Sequence, residues 1–333
     1  MNPRVLVVGG GSWGTALAWL LGSQGTPVRL WVRDPGQAAA LACSRENTRY
    51  LPGVPLPASV EPTSDPVRAL DGAAVLVLAV PTSAIREALR RFRSAVPTLP
   101  GMLIAAKGLE RDTGRRLSEV VREETGPEVA LGVLSGPNLS AEVVRSTPTA
   151  TVIASDRPDW AGFLQKLFST SCFRVYTNAD LPGVELAGAL KNPYAIAAGI
   201  SDGLGYGRNT WASLVTRSLA ELIRLGTAAG GRAETFRGLA GLGDLIATAG
   251  SSLSRNYRVG YALGQGQSPG AAMAALGHVA EGVPTTEAAC RLAEQLEVSV
   301  PILTGLRQVL REQLSVEAVV RELIARPFRE EES

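Results

Sequence analysis

Lys191 lies in ELAGALKNPYAIAAG (residues 185–199), a run of Ala, Gly, Ile and Leu in which little else is polar. The chain has 33 Lys plus Arg, and only Lys107, Lys166 and Lys191 are lysine, so arginine is its default cation. Arginine stays protonated at any accessible pH, whereas an ammonium gives up its proton readily once buried or set beside a second cation. Lys191 therefore reads as a group kept for proton transfer; composition alone leaves open a snorkelling cation with its stem on apolar surface. At helical spacing Ala187, Gly188, Tyr194, Ala195 and Ala198 share its face, and their close packing would desolvate the amine and lower its pKa.

A second constellation opens the chain. Gly9, Gly11 and Gly14 form G-x-G-x-x-G directly after the strand-like RVLVV and before a helical run that ends at Gly22 to Gly25. With PVRLWVRD following as a second strand, a βαβ unit is complete within about 30 residues, which is the context this motif needs. In that setting the first glycine makes the turn, the second lets the backbone approach a pyrophosphate, and the third lets helix and sheet pack closely. The helix N-terminus then turns unpaired N–H groups and a positive dipole end to the phosphates. Arg33 and Asp34 stand at the end of the second strand, where an acidic side chain accepts the 2′-hydroxyl of NAD and an arginine pairs with the 2′-phosphate of NADP. With both present the choice between NAD and NADP stays open, as does a plain solvated turn for Asp34.

The elements that must position these groups follow from the pattern. Strand-like runs recur at residues 73–80, 101–107, 128–136, 149–155 and 173–178, several separated by helical stretches, which predicts a mainly parallel, doubly wound sheet covered on both faces. Near residue 180 the pattern changes. Asp180 and Pro182 suit a helix start, and the remainder reads as helices joined by glycine-rich turns. The expected division is residues 1–180 for the dinucleotide and 181–333 for substrate and catalysis. Pro193 falls inside the long first helix of the second part and should kink it.

Bulk composition excludes several classes. At 333 residues the chain exceeds the roughly 250–300 at which single cores stop growing, so two domains are expected. Cys43, Cys172 and Cys290 form no CxxC pair, which suggests neither a disulfide framework nor a zinc site. His278 is the only histidine, which excludes a multi-histidine metal centre; it reads as a turn or surface residue. A net charge of +2 gives no basic field for nucleic acid, and no apolar run is long enough for a membrane span. MNPRVLVVGGG passes straight into a strand without signal-peptide features, so a cytoplasmic location is expected. Helical domains with exposed apolar faces often pair, which keeps a homodimer open.

The sequence resembles the NAD(P)-dependent glycerol-3-phosphate dehydrogenase family through GGGSWGTALA, YLPG, AAKGLE, LSGPNLSAEV, ALKNPYAIAAGISDGLGYGRNT, TFRGLAGLGDL, SRN and VAEGVPT, in order from residue 9 to residue 285. The resemblance implies an N-terminal Rossmann-type domain, an all-α C-terminal domain, and an active site between them that interconverts sn-glycerol 3-phosphate and dihydroxyacetone phosphate with NAD or NADP, feeding glycerophospholipid synthesis. It implies Lys191 as proton acceptor, and Lys107, Gly136, Asn138, Asp244, Ser254, Arg255 and Asn256 as further substrate contacts. It also implies cofactor contacts at Gly9, Gly11, Ser12, Trp13, Gly14, Arg33, Tyr50, Lys107, Ser140, Arg255, Val279 and Glu281, and no metal. Within SRN a hydroxyl, a forked guanidinium and an amide could hold a phosphate, with Arg255 as bidentate anchor. Lys107, if it reaches the same pocket, would lower the pKa of Lys191 by like-charge repulsion.

The chain departs from that family's usual pattern at Asn138, Leu139 and Ser140, where Ser or Thr, Phe and Ala are common, and at Pro193. Two other readings stay open: a two-domain reductase of a small carboxylate, with Arg255 on the carboxylate, and a non-catalytic nicotinamide-sensing regulator. Retention of Lys191, Lys107 and Asp244 together speaks against the regulator.

Overall fold

The first strand, β1 (Arg4–Val8), has Val5, Leu6, Val7 and Val8 at zero exposure, because it is covered on both faces. The computed structural model describes residues 3–92, 99–277 and 279–327; His278 lies outside them. The remaining strands are β2 (Val28–Trp31), β3 (Glu46–Asn47), β4 (Leu51–Pro55), β5 (Val60–Thr63), β6 (Ala73–Leu78), β7 (Gly101–Ile104), β8 (Ala130–Ser135), β9 (Thr149–Ser155) and β10 (Phe173–Asn178). Eight of them form one sheet in the order β10-β9-β8-β7-β6-β1-β2-β5, and β3 pairs with β4 in a small separate ribbon. Every neighbouring pair in the large sheet is parallel except β8–β9. The seven sequence-read strands all appear, while β5 and the β3–β4 ribbon were not expected from the pattern. Only the short helix Ser140–Val143 lies between β8 and β9. A parallel return needs a full crossover, and here the chain turns back antiparallel instead.

Side chains alternate across the sheet as the strand period demands. Leu6, Val8, Leu76 and Leu78 join one core with the helix Leu181–Gly203, while Val5, Val7, Val75 and Val77 join the other with helices Ser12–Ser23 and Pro158–Phe168. From residue 181 onward the described chain is helical. Helices Arg208–Ala228, Gly282–Gln295, Pro301–Leu310 and Val316–Ile324 lie where helical spacing predicts them.

Leu181–Gly203 is the axis of the molecule. Asp180 caps it, accepting from Gly183 N at 3.0 Å, and Pro182 occupies its first turn. It continues through Pro193 as one unbroken helix. Helix Arg255–Gly264 lies directly against it: a Cβ on Gly260 would come within 1.9 Å of the Ile196 carbonyl oxygen, so only glycine permits this approach. That contact brings residues 254–256 beside Lys191 and Asn192. No helix among the described residues is long and apolar enough to cross a membrane.

Candidate active site

Lys191 is 5% exposed, and Ala187, Gly188, Tyr194, Ala195 and Ala198 on the same helix are buried with it. Its Nζ donates to Asp244 Oδ1 at 2.9 Å and to the Thr248 hydroxyl. Asp244 opens the helix Asp244–Ala249, immediately after a π-helical turn at Leu239–Gly243, and its carboxylate faces inward instead of capping. Its second oxygen, Oδ2, accepts from Lys107 Nζ at 2.7 Å, and Lys107 also donates to the carbonyl of Gly136 at 2.8 Å. One buried carboxylate thus holds two ammonium groups, one brought by the segment after β7 and the other by the axial helix.

Electrostatics in this cluster follow from burial first. Desolvation pulls Lys191 down to about 8, further assisted by the nearby positive charges of Lys107 and Arg255 and opposed by Asp244. Burial by itself would raise Asp244, but the two ammonium groups hold it below the usual carboxylate value. At neutral pH the cluster is therefore a carboxylate beside a Lys191 that gives up its proton more readily than a free lysine does.

Arg255 stands beside this cluster, exposed and near enough to Glu281 to feel its charge, and makes no hydrogen bond or ion pair within 4 Å among the described residues. Ser254 and Asn256 each hold part of the local structure at this helix start. Ser254 Oγ caps the helix by accepting from Tyr257 N at 3.2 Å. Asn256 Nδ2 donates to Asn192 Oδ1 at 2.8 Å while its Oδ1 accepts from Gly282 N at 2.9 Å. Their side chains thus fix the helix start, and the Ser254 O–H, the second Nδ2–H of Asn256 and the backbone N–H groups of Arg255 and Asn256 are left as donors for an anion.

The glycine turn sits at the carboxyl end of β1. Gly9 has φ +124°, and a Cβ there would lie 2.5 Å from the Ala79 carbonyl oxygen; a Cβ on Gly14 would lie 1.9 Å from the Gly9 carbonyl oxygen. A Cβ on Gly11 would meet nothing within 4 Å. The first and third glycines are therefore required by the protein itself, and the second faces open space. Gly11 precedes helix Ser12–Ser23, which has no side-chain cap, so its first amides are available to phosphate. This cradle fits a dinucleotide pyrophosphate.

The other expected cofactor positions are spread around this cradle. Ser12 Oγ donates to the Tyr50 carbonyl at 2.7 Å, and Trp13 Nε1 to the Ala105 carbonyl at 3.1 Å, tying the helix to the walls. Glu281 accepts from Thr82 N at 3.1 Å and Thr82 Oγ1 at 2.9 Å, bridging the end of β6 to the helical part. Burial raises the Glu281 pKa against the lowering effect of these two bonds. Val279 is half exposed near this bridge. Ser140 begins the short helix after β8, and Asn138 Nδ2 donates to Thr151 Oγ1 at 2.9 Å, pinning that loop to β9.

The strand β2 ends at Trp31, short of the expected Arg33–Asp34. Asp34 caps helix Pro35–Ser44 by accepting from Gly36 N at 2.8 Å, because a short carboxylate ahead of Pro35 is well placed for that bond. Arg33 is largely exposed, 3.8 Å from Glu87.

Three site residues escaped the sequence reading. Thr248 follows Asp244 by four residues and so shares its helical face, a signal that was available once Asp244 was singled out. Asn192 adjoins Lys191, yet only the Asn256 contact shows its use. Thr82 follows a strand end, where ligands of open α/β sheets collect, and nothing in its immediate sequence marks it.

Fold and site place the chain among the dinucleotide-dependent dehydrogenases that join a Rossmann-like sheet to an all-helical C-terminal part. Residues 4–161 match the family model described as NAD-dependent glycerol-3-phosphate dehydrogenase N-terminus, and residues 180–321 match the corresponding C-terminus. The chain belongs to the NAD-dependent glycerol-3-phosphate dehydrogenase family, oxidoreductases that use NAD or NADP.

Among its relatives, glycerol-3-phosphate dehydrogenase (NAD(P)+) of Nitratidesulfovibrio vulgaris is 46% identical over 329 residues, covering 98% of this chain and 100% of the relative. The Moorella thermoacetica protein of the same name is 47% identical over 327 residues, 98% and 97% of the two chains. The solved structure of glycerol-3-phosphate dehydrogenase from Coxiella burnetii superposes with a TM-score of 0.92 at 38% identity, over 98% of this chain and 99% of that one.

Proposed function

We propose that this enzyme oxidises the secondary hydroxyl of sn-glycerol 3-phosphate and, in reverse, reduces dihydroxyacetone phosphate, supplying glycerol 3-phosphate for glycerophospholipid synthesis. The observation that carries the mechanism is the pair of ammonium groups on one buried carboxylate, Lys191 and Lys107 on Asp244. A nicotinamide held by the cradle supplies hydride exchange. Lys191, as the free amine, takes the hydroxyl proton during oxidation; as the ammonium it returns a proton to the carbonyl oxygen during reduction. Asp244 and Thr248 fix the direction of the Lys191 Nζ. Lys107 offers a second positive charge to substrate oxygen. Arg255, unpaired among the described residues, and the helix start at Ser254 receive the phosphate.

In this reading residues 1–180 hold the dinucleotide and 181–333 the substrate, and the cleft between them excludes water. Gly136 and Asn138 shape the substrate side, while Ser12, Trp13, Arg33, Tyr50, Ser140, Val279 and Glu281 line the path of the coenzyme. The enzyme acts in the cytoplasm, in keeping with three free cysteines, Cys43, Cys172 and Cys290. The test is a comparison of dihydroxyacetone phosphate with unphosphorylated dihydroxyacetone, using NADH and NADPH in turn. Turnover of the phosphorylated substrate alone is expected. Equal rates on both would remove the phosphate anchor, and reduction of a small 2-keto carboxylate instead would assign Arg255 to a carboxylate.

A further inference from the structure

The peptide that joins Gly10 to Gly11 is gripped on one side only. Its carbonyl oxygen, on Gly10, accepts from Gln37 Nε2 at 3.0 Å and from Asn47 Nδ2 at 3.0 Å. A Cβ on Gly10 would run into Val32 Cγ1 just past β2, so the chain is packed closely against the end of the sheet here. The N–H of Gly11, at the other end of the same peptide, has no hydrogen-bond partner among the described residues. A trans peptide is planar, and its C=O and N–H point in opposite directions. Whatever fixes the Gly10 carbonyl therefore fixes the Gly11 N–H and turns it away from Gln37 and Asn47.

The two side-chain amides come from separate elements. Gln37 stands in the first turn of helix Pro35–Ser44, and Asn47 ends β3. Asn47 is 3% exposed, and both polar atoms of its side chain are engaged: Nδ2 also donates to Thr15 Oγ1 at 2.7 Å, and Oδ1 accepts from Tyr50 N at 3.3 Å. Gly10 precedes Gly11, and Thr15 lies in the first turn of the helix that follows it, so one side chain holds both arms of the glycine turn. Donors on the carbonyl also polarise the peptide, which strengthens its N–H toward an acceptor.

We infer that Gln37 and Asn47 are positioning residues for the coenzyme: they hold the Gly10–Gly11 peptide so that its N–H is aimed at the dinucleotide pyrophosphate. The inference rests on the reading that the glycine cradle holds that pyrophosphate, and each side chain acts through the one peptide plane. The amides within helix Ser12–Ser23 are oriented by the helix itself. Gly11 precedes it with φ −78° and ψ −178°, outside the helical range, so its N–H takes its direction from what grips the Gly10 carbonyl. With that grip in place the donor is set before the coenzyme arrives, and binding does not bear the cost of ordering it.

The test compares the full-length protein with Gln37→Met, which keeps the side-chain length and loses the donor, and with the double variant Gln37→Met/Asn47→Ser. NADH binding, followed by fluorescence, should weaken by about 3- to 10-fold in Gln37→Met, the contribution of one neutral hydrogen bond. In the double variant it should weaken by about 10- to 100-fold, the contribution of the charged hydrogen bond that Gly11 then fails to make. ADP, which keeps the pyrophosphate and lacks the nicotinamide half, should weaken by the same factors, and kcat at saturating NADH should fall by less than the dissociation constants rise. Should the double variant fail to fold, Gln37→Met decides alone. Undiminished NADH binding in Gln37→Met would overturn the inference, and so would a loss of kcat at saturating NADH as large as the loss of binding, the mark of a merely loosened fold. Failure of the parent protein to bind ADP while it binds NADH would instead remove the pyrophosphate from the cradle, and the positioning role with it.

Discussion

The glycine cradle and the lysine–aspartate cluster do complementary work by opposite means. The cradle is made of backbone within six residues, and its demands are steric: Gly9 and Gly14 have no room for a Cβ, and Gly11 has open space. The cluster is made of side chains drawn from Lys107, Lys191 and Asp244, far apart in sequence, and its demands are electrostatic. This steric device tolerates almost no change at its first and third glycines and needs, beyond its own six residues, the neighbouring backbone at Ala79. A dispersed electrostatic device depends on the whole fold, since the segment after β7, the axial helix and the π-turn must all arrive together.

The largest expected effect strikes the cluster. Lys191→Arg keeps the positive charge but removes the transferable proton, so kcat should fall by at least about 10²-fold, the lower scale for a general acid or base, while the dissociation constant of the dinucleotide barely changes. Near-normal turnover would reduce Lys191 to a structural cation. Next, Asp244→Asn removes the carboxylate that raises the Lys191 pKa. The alkaline midpoint of oxidation should move to lower pH by about 1–3 units, the usual effect of one close opposite charge. An unmoved midpoint would mean that the two groups are not coupled.

Arg255→Ala should raise KM for dihydroxyacetone phosphate by about 10- to 100-fold, the loss of a charged hydrogen-bonding partner, with a smaller change in kcat. An unchanged KM rejects it as the phosphate anchor. The cradle gives the smallest effects and the sharpest contrast. Gly14→Ala should destabilise the protein without ligand by about 1–3 kcal/mol through overpacking. Gly11→Ala should leave that stability within about 0.5 kcal/mol yet weaken dinucleotide binding. Equal denaturant midpoints for the two variants would contradict the separation of structural and ligand-facing glycines.

The same contrast explains what the sequence disclosed. The cradle was readable because strand, glycines and helix adjoin, and the doubly wound sheet followed from apolar runs alternating with helices. The antiparallel β8–β9 pair was not readable, because direction depends on how the connection packs and not on strand composition. Lys191 drew notice as a rare lysine on a face of mostly small residues. Asp244 and Arg255 came only with the family resemblance: a carboxylate opening a helix looks like a cap until the fold shows it turned inward. Asp34 gives the converse case, since its place after a strand suggested ribose binding while its geometry is that of the cap that Asp244 is not. Ser254 and Asn256, expected as substrate contacts, also hold the helix start in place, a structural use that their local sequence did not disclose.

The pH behaviour follows from the central group. With Lys191 at about 8, oxidation of glycerol 3-phosphate, which needs the free amine, should rise as pH passes through 8. Reduction of dihydroxyacetone phosphate, which needs the ammonium, should fall over the same interval.

Having only three lysines, the chain permits a direct reading of this proton. Protein labelled with 13C at lysine Cε can be titrated by NMR alongside its Lys191→Arg variant. The resonance missing from the variant should show its midpoint near 8 in the parent. If that resonance instead titrates near the ordinary lysine value of about 10.4, the amine at 191 is not tuned for proton transfer and the account fails at its centre.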